Sequence, residues 1–272
     1  LVPLLMLLGL MSKAIVVALP PALLLLDYWP LRRADSPFRR DQWPAWWRLI
    51  REKAPLWLLS LAFTGINLKT HVTGSGFIYG LSFLNRLLLI FPNYWKYLAK
   101  IFWPGKMGIL YPESDAVYGP ASLLALAGLL ALTGLALWLS RRHRFVGMGW
   151  LWFGVILFPV IRGVRLGLAD YTDRFTYLPS IGLAILLVWA VAEWAGERRA
   201  RRTLALGAAA VLLATSGWVA ARQLRLWENS EILFKHTLSF TDDNSIIRNN
   251  LGGYLLEKGR LAEAEKEFRE VI

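Results

Sequence analysis

Seven apolar runs, three of whose six connecting segments are basic loops, constrain the fold of this chain more than any single residue does. They lie at residues 1–10, 14–28, 54–66, 120–139, 145–161, 177–194 and 203–220. A helix that crosses a bilayer needs about 20 mostly apolar residues, with about 17 as a lower limit. Most of the runs reach that length once their flanking residues are counted. The sequence therefore predicts an all-α fold whose main part is a polytopic transmembrane bundle of about six or seven helices.

The first apolar run is too short to cross a bilayer, so we expect it to be the end of a helix that starts upstream of Leu1. Met11, Ser12 and Lys13 would then form the turn into the next helix. The alternative is one helix over residues 4–26 with Lys13 in mid-span. A lone lysine at bilayer depth is costly and needs a partner, which favours two helices.

Composition excludes several classes of protein. Hydrophobic residues make up 56% of the chain, which is too apolar for a soluble domain of this length. The net charge of +12 and the 14 tryptophans indicate basic loops at a lipid surface rather than a nucleic-acid partner. Cysteine is absent and the three histidines lie far apart. We therefore expect no disulfide and no bound metal, and we identify no cofactor.

The basic loops predict the orientation in the membrane. They cover residues 31–53, 141–144 and 198–202, and counting crossings places all three on one side. Because positively charged loops stay in the cytoplasm, that side is predicted to be cytoplasmic. The segments 67–119 and 162–176, and everything after residue 220, would then face outward.

The first outward segment contains a predicted amphipathic helix that ends at Trp103-Pro104-Gly105. Its apolar stripe is Leu84, Leu88, Phe91, Trp95, Leu98 and Phe102, and its polar residues are Asn85, Arg86, Asn93, Lys96 and Lys100. Such a helix lies in or near a membrane interface. Two interpretations stay open. The helix packs on the bundle with its cations reaching to water, or its cations form a wall that faces a phosphate-bearing lipid.

The densest polar cluster beside a membrane helix covers residues 170–179. Its candidate binding residues, together with the two arginines that precede it, are Arg162, Arg165, Asp173, Arg174 and Tyr177. Arginine holds phosphate with a planar fork, which suits recognition of an oxyanion, and Asp173 would either orient Arg174 or be neutralised by it. The alternative is a charged cap where a helix leaves the membrane. Lys13, which faces outward in the two-helix topology, would join this cationic region or act only as an interface anchor.

The C-terminal residues match the spacing of a tetratricopeptide-like helical pair. Two antiparallel helices are expected at 244–258 and 261–272, with Gly259 at the turn. The packing residues are Leu251, Gly252, Leu255, Gly259, Ala264 and Phe268. An ordinary helical hairpin is the alternative.

The same pattern divides the chain into two predicted domains. Residues 1–221 form the membrane domain, and residues 222–272 begin a tetratricopeptide-repeat (TPR) domain. That second part contains a degenerate repeat at 222–244 and a truncated repeat at 245–272. One repeat cannot bury its own faces, so we expect further repeats beyond the last residue.

Several short motifs occur together in the order found in a known family. They are Met11-Ser12-Lys13, the stretches 25–31, 97–104 and 173–179, and Trp227-Glu228-Asn229-Ser230, followed by the repeat. Over essentially its whole length the chain resembles bacterial relatives of the transmembrane and tetratricopeptide-repeat O-mannosyltransferases. These are membrane glycosyltransferases of the GT-C class. The family usually has proline after the Ser-Lys pair, where this chain has Ala14.

The resemblance implies an inverting transfer of a sugar from a polyprenyl-phosphate donor to a protein hydroxyl. The reaction would occur on the outer face of a bacterial inner membrane, with the repeats binding the acceptor polypeptide. The family's catalytic carboxylate lies in a first outer loop that would precede Leu1. No catalytic residue is therefore carried onto this chain, and we expect this part alone to be inactive. The donor-binding residues would be Lys13, Arg174 and Tyr177 by motif, and Arg86, Lys96 and Lys100 by charge.

Two other functions stay open. A non-catalytic membrane anchor that displays repeats as an assembly scaffold needs none of the outer charges. An envelope oligosaccharide polymerase or ligase also combines many spans with repeats. Acidic residues in the upstream outer loop would favour the enzyme over the scaffold, and the identity of the acceptor would separate protein from glycan transfer.

Overall fold

A computed structural model describes residues 1–35, 37, 39–73, 83–105, 107–111, 120–161, 172–241 and 244–271. The chain divides into two compact units, which we describe one at a time. Unit 1 consists of Leu1–Ile101, Val117–Leu168 and Arg174–Ala190. Unit 2 consists of Phe102–Ala116, Ala169–Asp173 and Val191–Ile272.

All regular secondary structure in the described residues is helical, which confirms the predicted all-α class. The α-helices are α1 (Val2–Ser12), α2 (Leu19–Tyr28), α3 (Trp43–Glu52), α4 (Ala54–Thr73), α5 (Phe83–Phe102), α6 (Pro120–Ser140), α7 (Arg144–Leu157), α8 (Tyr177–Ala195), α9 (Arg199–Arg225), α10 (Ser230–Leu238), α11 (Ser245–Glu257) and α12 (Leu261–Arg269). Short 3-10 helices cover Ala14–Ala18, Arg40–Gln42, Phe158–Val160 and Asp173–Thr176.

Three helices in the described part of the chain are long and apolar enough to cross a membrane. They are Pro120–Ser140, Asp173–Ala195 and Arg199–Arg225. Shorter apolar helices cover Val2–Ser12, Ala14–Tyr28, Ala54–Asn67 and Arg144–Val160. These stretches coincide with the seven predicted apolar runs. The chain is therefore a membrane protein, although four of the runs form helices shorter than a full crossing.

The chain breaks at Lys13, which confirms two helical stretches rather than one. Lys13 has extended backbone angles, with φ −149° and ψ 130°, and its N–H donates to the carbonyl of Gly9. Gly9 faces Val16, because a Cβ at Gly9 would lie 3.3 Å from a methyl carbon of Val16. The 3-10 helix that follows Lys13 thus packs against α1, and Leu10 of α1 shares a buried cluster with Leu56 of α4.

Two glycines bring α7 and α8 into direct backbone contact. A Cβ at Gly149 would lie 2.4 Å from the carbonyl oxygen of Gly182, and a Cβ at Gly182 would lie 2.4 Å from that of Gly149. Small residues at a crossing allow membrane helices to approach this closely. The indole N–H of Trp152 donates to the carbonyl of Leu178 at 3.0 Å. This hydrogen bond holds the start of α8 beside the second half of α7.

Helix α5 packs on α6 and α7. The Tyr94 hydroxyl donates to a carbonyl of α7 at 2.7 Å, and the Trp95 indole N–H donates to a carbonyl of α6 at 2.9 Å. The helix covers the predicted stripe, but Asn93 and Tyr97 are among its buried side chains. The face predicted to be polar is therefore partly turned into the protein. Of the two open interpretations, these contacts support packing on the bundle.

Two basic loops, those before α4 and α7, meet at one end of unit 1. Arg144 forms an ion pair with Asp35, and its guanidinium lies 5.6 Å from the ring centroid of Tyr28. The Tyr28 hydroxyl donates to the carbonyl of Ser140 at 3.3 Å. Both loops therefore lie on the same side of unit 1, in agreement with the charge pattern of the sequence.

The C-terminal part of unit 2 forms the predicted helical hairpin. Its buried cluster contains Leu251, Leu255 and Ala264, with Phe234, Leu238 and Phe268 packed against it. Gly259 has a φ of 75° and makes the turn between α11 and α12. A Cβ at Gly252 would lie 2.6 Å from the Phe268 ring, so only glycine allows this approach. The assignment of the hairpin to a TPR array stays a prediction.

Helix α10 is tied to the hairpin by charged side chains. Arg260 donates to Glu231 at 2.7 Å, and Lys235 donates to the same carboxylate at 2.6 Å. The hydrogen bond from Lys235, followed by that from Arg260, lowers the pKa of Glu231. The carboxylate therefore stays ionised and keeps α10 in place.

Candidate substrate-binding site

Lys13 and the start of α8 lie at the same end of unit 1. The 3-10 helix that follows Lys13 packs against Phe158–Val160, the 3-10 helix that follows α7. The start of α8 is held by the hydrogen bond from Trp152, which also belongs to the second half of α7. Because the two contacts involve the second half of α7 and the turn that follows it, Lys13 and the start of α8 lie toward the end of α7 that is opposite to the two basic loops.

The side chains at this end are open to their surroundings. Lys13 and Arg174 are exposed, and Tyr177 is 77% exposed. The guanidinium of Arg174 lies 5.6 Å from the ring centroid of Phe175. A guanidinium that rests on a ring is oriented while its N–H donors point outward, and such donors can hold a phosphate.

The carboxylate of Asp173 is engaged by a loop of unit 2. Its Oδ2 accepts hydrogen bonds from the Tyr111 hydroxyl at 2.7 Å and from the Gly108 N–H at 3.2 Å. A carboxylate that accepts two such bonds is fixed in position. The sequence did not indicate this partnership. The predicted pairing with Arg174 stays a prediction.

The remaining predicted cations are placed differently. On α5, Lys96 is exposed and Lys100 is half-buried. The side chain of Arg86, and the whole of Arg162 and Arg165, lie outside the described residues. Of the α5 cations that would form a wall facing lipid, the structure therefore describes the side chains of Lys96 and Lys100. Their role in lipid binding stays a prediction.

An apolar cavity of about 530 Å³ lies within unit 1. Helices α2, α4, α5, α6 and α7 contribute to its wall, and the aromatic rings that line it are Trp57, Phe91, Tyr94, Trp150, Phe153 and Phe158. The indole nitrogen of Trp57 is buried and has no hydrogen-bond partner among the described residues. A concave site with this lining suits a hydrocarbon chain that carries few polar groups.

A buried ion pair at the opposite end of unit 1 was missed by the sequence analysis. Asp27 and Lys53 are 3% and 6% exposed and form a salt bridge. Arg33 also contacts Asp27 at 3.0 Å and joins it to Glu52. The hydrogen bond from Arg33 lowers the pKa of Glu52. The available signal was that one charge ends an apolar run and the other precedes the next run.

No group of three His, Asp or Glu side chains in the described part of the chain is placed to hold a metal ion. Among the described residues, the predicted donor-binding groups at the Lys13 end are Lys13, Arg174 and the Tyr177 hydroxyl. Two cations and a hydroxyl are suited to binding an anion.

No protein-family model matches the chain, and no solved structure matches it. Curated proteins do. The chain is 27% identical over 201 residues to protein O-mannosyl-transferase TMTC1 of Mus musculus, an alignment that covers 70% of this chain and 21% of the relative. It is 27% identical over 157 residues to TMTC1 of Homo sapiens, which covers 55% of this chain and 17% of that protein.

The chain is related to the TMTC protein O-mannosyl-transferases. A third TMTC relative, Tmtc2 of Drosophila melanogaster, is 27% identical over 100 residues, or 37% of this chain and 10% of that protein. The chain spans about a fifth or less of the length of the TMTC proteins that it matches. All three relatives come from animals, and the bacterial origin stays a prediction.

Proposed function

We propose that this chain is part of a membrane glycosyltransferase that moves a sugar from a polyprenyl-phosphate carrier to a protein hydroxyl. The observation that carries the proposal is the relation to TMTC proteins, whose name states protein O-mannosyl transfer. The polyprenyl-phosphate carrier, the protein acceptor and the outward-facing site are what the resemblance to this family implies, and exposed cations at the Lys13 end of unit 1 suit a phosphate-bearing donor.

The chemistry explains why cations are needed there. The acceptor oxygen attacks the anomeric carbon, a base takes the hydroxyl proton, and the bond to the lipid phosphate breaks. Negative charge therefore grows on the departing phosphate. Lys13 and Arg174 lie at the same end of unit 1 and would stabilise that charge as fixed cations. We assign no base within this chain.

The apolar cavity would hold part of the isoprenoid tail. Its walls are almost entirely apolar and it lies between membrane helices, so a hydrocarbon chain can enter it without losing contact with lipid. Trp57 belongs to this wall, and its indole N–H has no hydrogen-bond partner among the described residues. A hydrocarbon occupant leaves that N–H unpaired at a modest cost.

Replacing Gly154 with leucine is expected to weaken binding of polyprenyl phosphate at least about tenfold, because the new side chain fills part of the cavity that Gly154 lines. Gly134→Leu is the matched control. A Cβ at either glycine meets nothing within 4 Å, and both glycines lie within α-helices, so the gain in helix propensity is similar. Competition for a photoactivatable polyprenyl phosphate measures the affinity. If the two variants bind polyprenyl phosphate equally well, the cavity does not hold the isoprenoid tail.

The helical hairpin would bring the acceptor to this chemistry. Stacked helical repeats form extended surfaces that bind polypeptides, and holding an acceptor near the reacting sugar raises its effective concentration. The hairpin would thus contribute proximity and choice of acceptor, and unit 1 would bind the donor.

Replacing Arg174 with alanine is expected to lower the rate of sugar transfer about a hundredfold, which is typical for the loss of one group that stabilises charge in the transition state. The measurement is transfer of labelled sugar from polyprenyl phosphate to protein in membranes that contain the complete gene product. Arg142→Ala is the control, because Arg142 is also exposed but belongs to the loop before α7. Normal turnover in Arg174→Ala would reject the assigned role.

The same assay separates the alternative functions. Transfer to a glycan rather than to a protein would favour an envelope polymerase or ligase. A complete gene product that binds polypeptide but transfers no sugar would favour a membrane-anchored repeat scaffold.

A further inference from the structure

An irregular segment of unit 2, residues 107–111, lies on the helices that lead into the C-terminal hairpin. We call it the latch segment. Three side chains contact its main chain. Gln223 donates to the carbonyl of Met107 at 3.3 Å, the Thr237 hydroxyl accepts from the N–H of Ile109 at 3.5 Å, and Asn244 donates to the carbonyl of Leu110 at 3.0 Å. These contacts recognise backbone groups, which every polypeptide offers.

Two of these side chains, Asn244 and Thr237, are oriented toward the latch segment by further hydrogen bonds. Asn244 is 1% exposed, and its Oδ1 accepts the N–H of Ile247 and so caps α11. This cap leaves its amide nitrogen directed at the latch segment. Thr237 is 0% exposed, and its hydroxyl proton goes to the carbonyl of Leu233 at 2.9 Å. The oxygen of Thr237 is therefore left as the acceptor. Pre-oriented groups of this kind form a binding site rather than a chance contact.

Two residues of the latch segment, Gly108 and Tyr111, also fit the surface through their size and shape. A Cβ at Gly108 would lie 3.0 Å from the ring of Phe240 and 3.0 Å from the methyl carbon of Thr237, so any larger residue there requires these neighbours to shift and the position favours glycine. Three residues later, the ring of Tyr111 lies 6.2 Å from that of Phe240. Asp173 secures the segment by accepting from Gly108 and Tyr111. The surface thus favours a small residue followed, three residues on, by an aromatic ring.

We propose that this surface is a polypeptide-binding site and that the latch segment is an internal ligand which an acceptor polypeptide with the pattern Gly-x-x-aromatic replaces. The identification of the external polypeptide as an acceptor rests on the proposed function, whereas the binding site itself does not. An attached segment competes at an effective concentration on the order of millimolar. The intact chain therefore binds such a polypeptide weakly, and release of the latch segment opens the site.

The first test uses a fluorescent synthetic peptide with the sequence of residues 104–111 and the complete chain purified in detergent. The valine in Gly108→Val crowds Phe240 and Thr237 and so displaces the latch segment from its site. We expect this variant of the chain to bind the peptide at least about tenfold more tightly than the parent chain does. Gly105→Val is the matched control. A Cβ there meets only the Trp103 ring at an ordinary 3.6 Å, so its affinity should equal that of the parent.

A second substitution distinguishes recognition from a general opening of the structure. Asn244→Asp keeps an oxygen that caps α11 but replaces the amide donor with a carboxylate that repels the carbonyl of Leu110. Added to Gly108→Val, it should abolish the gain in peptide affinity. Gly108→Val that binds no more tightly than Gly105→Val, at equal helix content, would overturn the proposal.

If Gly108→Val fails to fold, a disulfide that joins the latch segment to α10 tests the same proposal. The chain contains no cysteine, so Gly108→Cys with Thr237→Cys introduces a single pair. The Thr237 side-chain atoms lie 3.0 and 3.3 Å from the position of a Cβ at residue 108, close to the distance of about 3 Å that disulfide geometry requires between a Cβ and the distant sulfur. Oxidation should block peptide binding and reduction should restore it. Equal binding in both states would contradict the proposal, and no sugar or lipid donor enters either readout.

Discussion

Gly149→Ala is expected to destabilise unit 1 by about 3 kcal/mol or more, one of the two largest effects that we predict. A Cβ at this position would lie 2.4 Å from the carbonyl oxygen of Gly182. Backbone cannot move aside as a flexible side chain does, so α7 and α8 must separate along their length and lose packing on both sides. Thermal unfolding in detergent micelles, followed by circular dichroism, measures the loss.

Gly154→Ala, on the same helix, is the matched control. A Cβ at Gly154 meets nothing within 4 Å, and alanine has the higher helix propensity, so stability should stay the same or rise by up to about 1 kcal/mol. Equal destabilisation by the two substitutions would show that the close crossing of α7 and α8 is wrong.

Asp27→Leu is the second substitution with a large expected effect, a loss of about 3–5 kcal/mol in the free energy of unfolding. It leaves the ammonium group of Lys53 buried, with the carbonyl of Leu49 at 3.4 Å as its remaining hydrogen-bond partner among the described residues. Breaking a buried pair on one side is far more costly than removing the whole pair. The double variant Asp27→Leu, Lys53→Met should therefore recover to within about 1 kcal/mol of the parent. Chemical unfolding of the four proteins of this cycle measures the coupling.

The neighbouring pair of Arg33 and Glu52 gives the comparison. Its side chains are 41% and 49% exposed, so Glu52→Gln should lower stability far less than Asp27→Leu does, as is usual for exposed ion pairs. If Glu52→Gln were as harmful as Asp27→Leu, the importance assigned to burial would be wrong.

The helical elements could be predicted where they depend on local pattern. The break at Lys13 follows from the cost of placing a lysine in mid-span, and the hairpin turn follows from the glycine at residue 259. Helix α3 was missed because its arginines marked the segment only as a basic loop. Its tryptophans Trp43 and Trp47 are 62% and 58% exposed, which suits a helix that lies along a membrane surface.

The candidate sites depend on contacts between distant residues, and these were less predictable. Asp173 was expected to act beside its neighbour in sequence, but its recorded hydrogen bonds reach residues more than sixty positions earlier. Nothing local to residues 107–111 indicates that they pack on α10. Residues on different helices also enclose the apolar cavity, and no periodicity within one helix shows which faces will meet.

We propose, from the charge pattern of the loops, that the Lys13 end of unit 1 and the C-terminal hairpin are both exposed on the extracytoplasmic side of the membrane. Single cysteines at exposed positions test it, since this chain has none of its own. In cells that produce the complete gene product, Met11→Cys and Glu257→Cys should react with a membrane-impermeant maleimide, whereas Arg142→Cys should react only after permeabilisation. Reaction of Met11→Cys in intact cells, with Glu257→Cys reactive only after permeabilisation, would contradict the account.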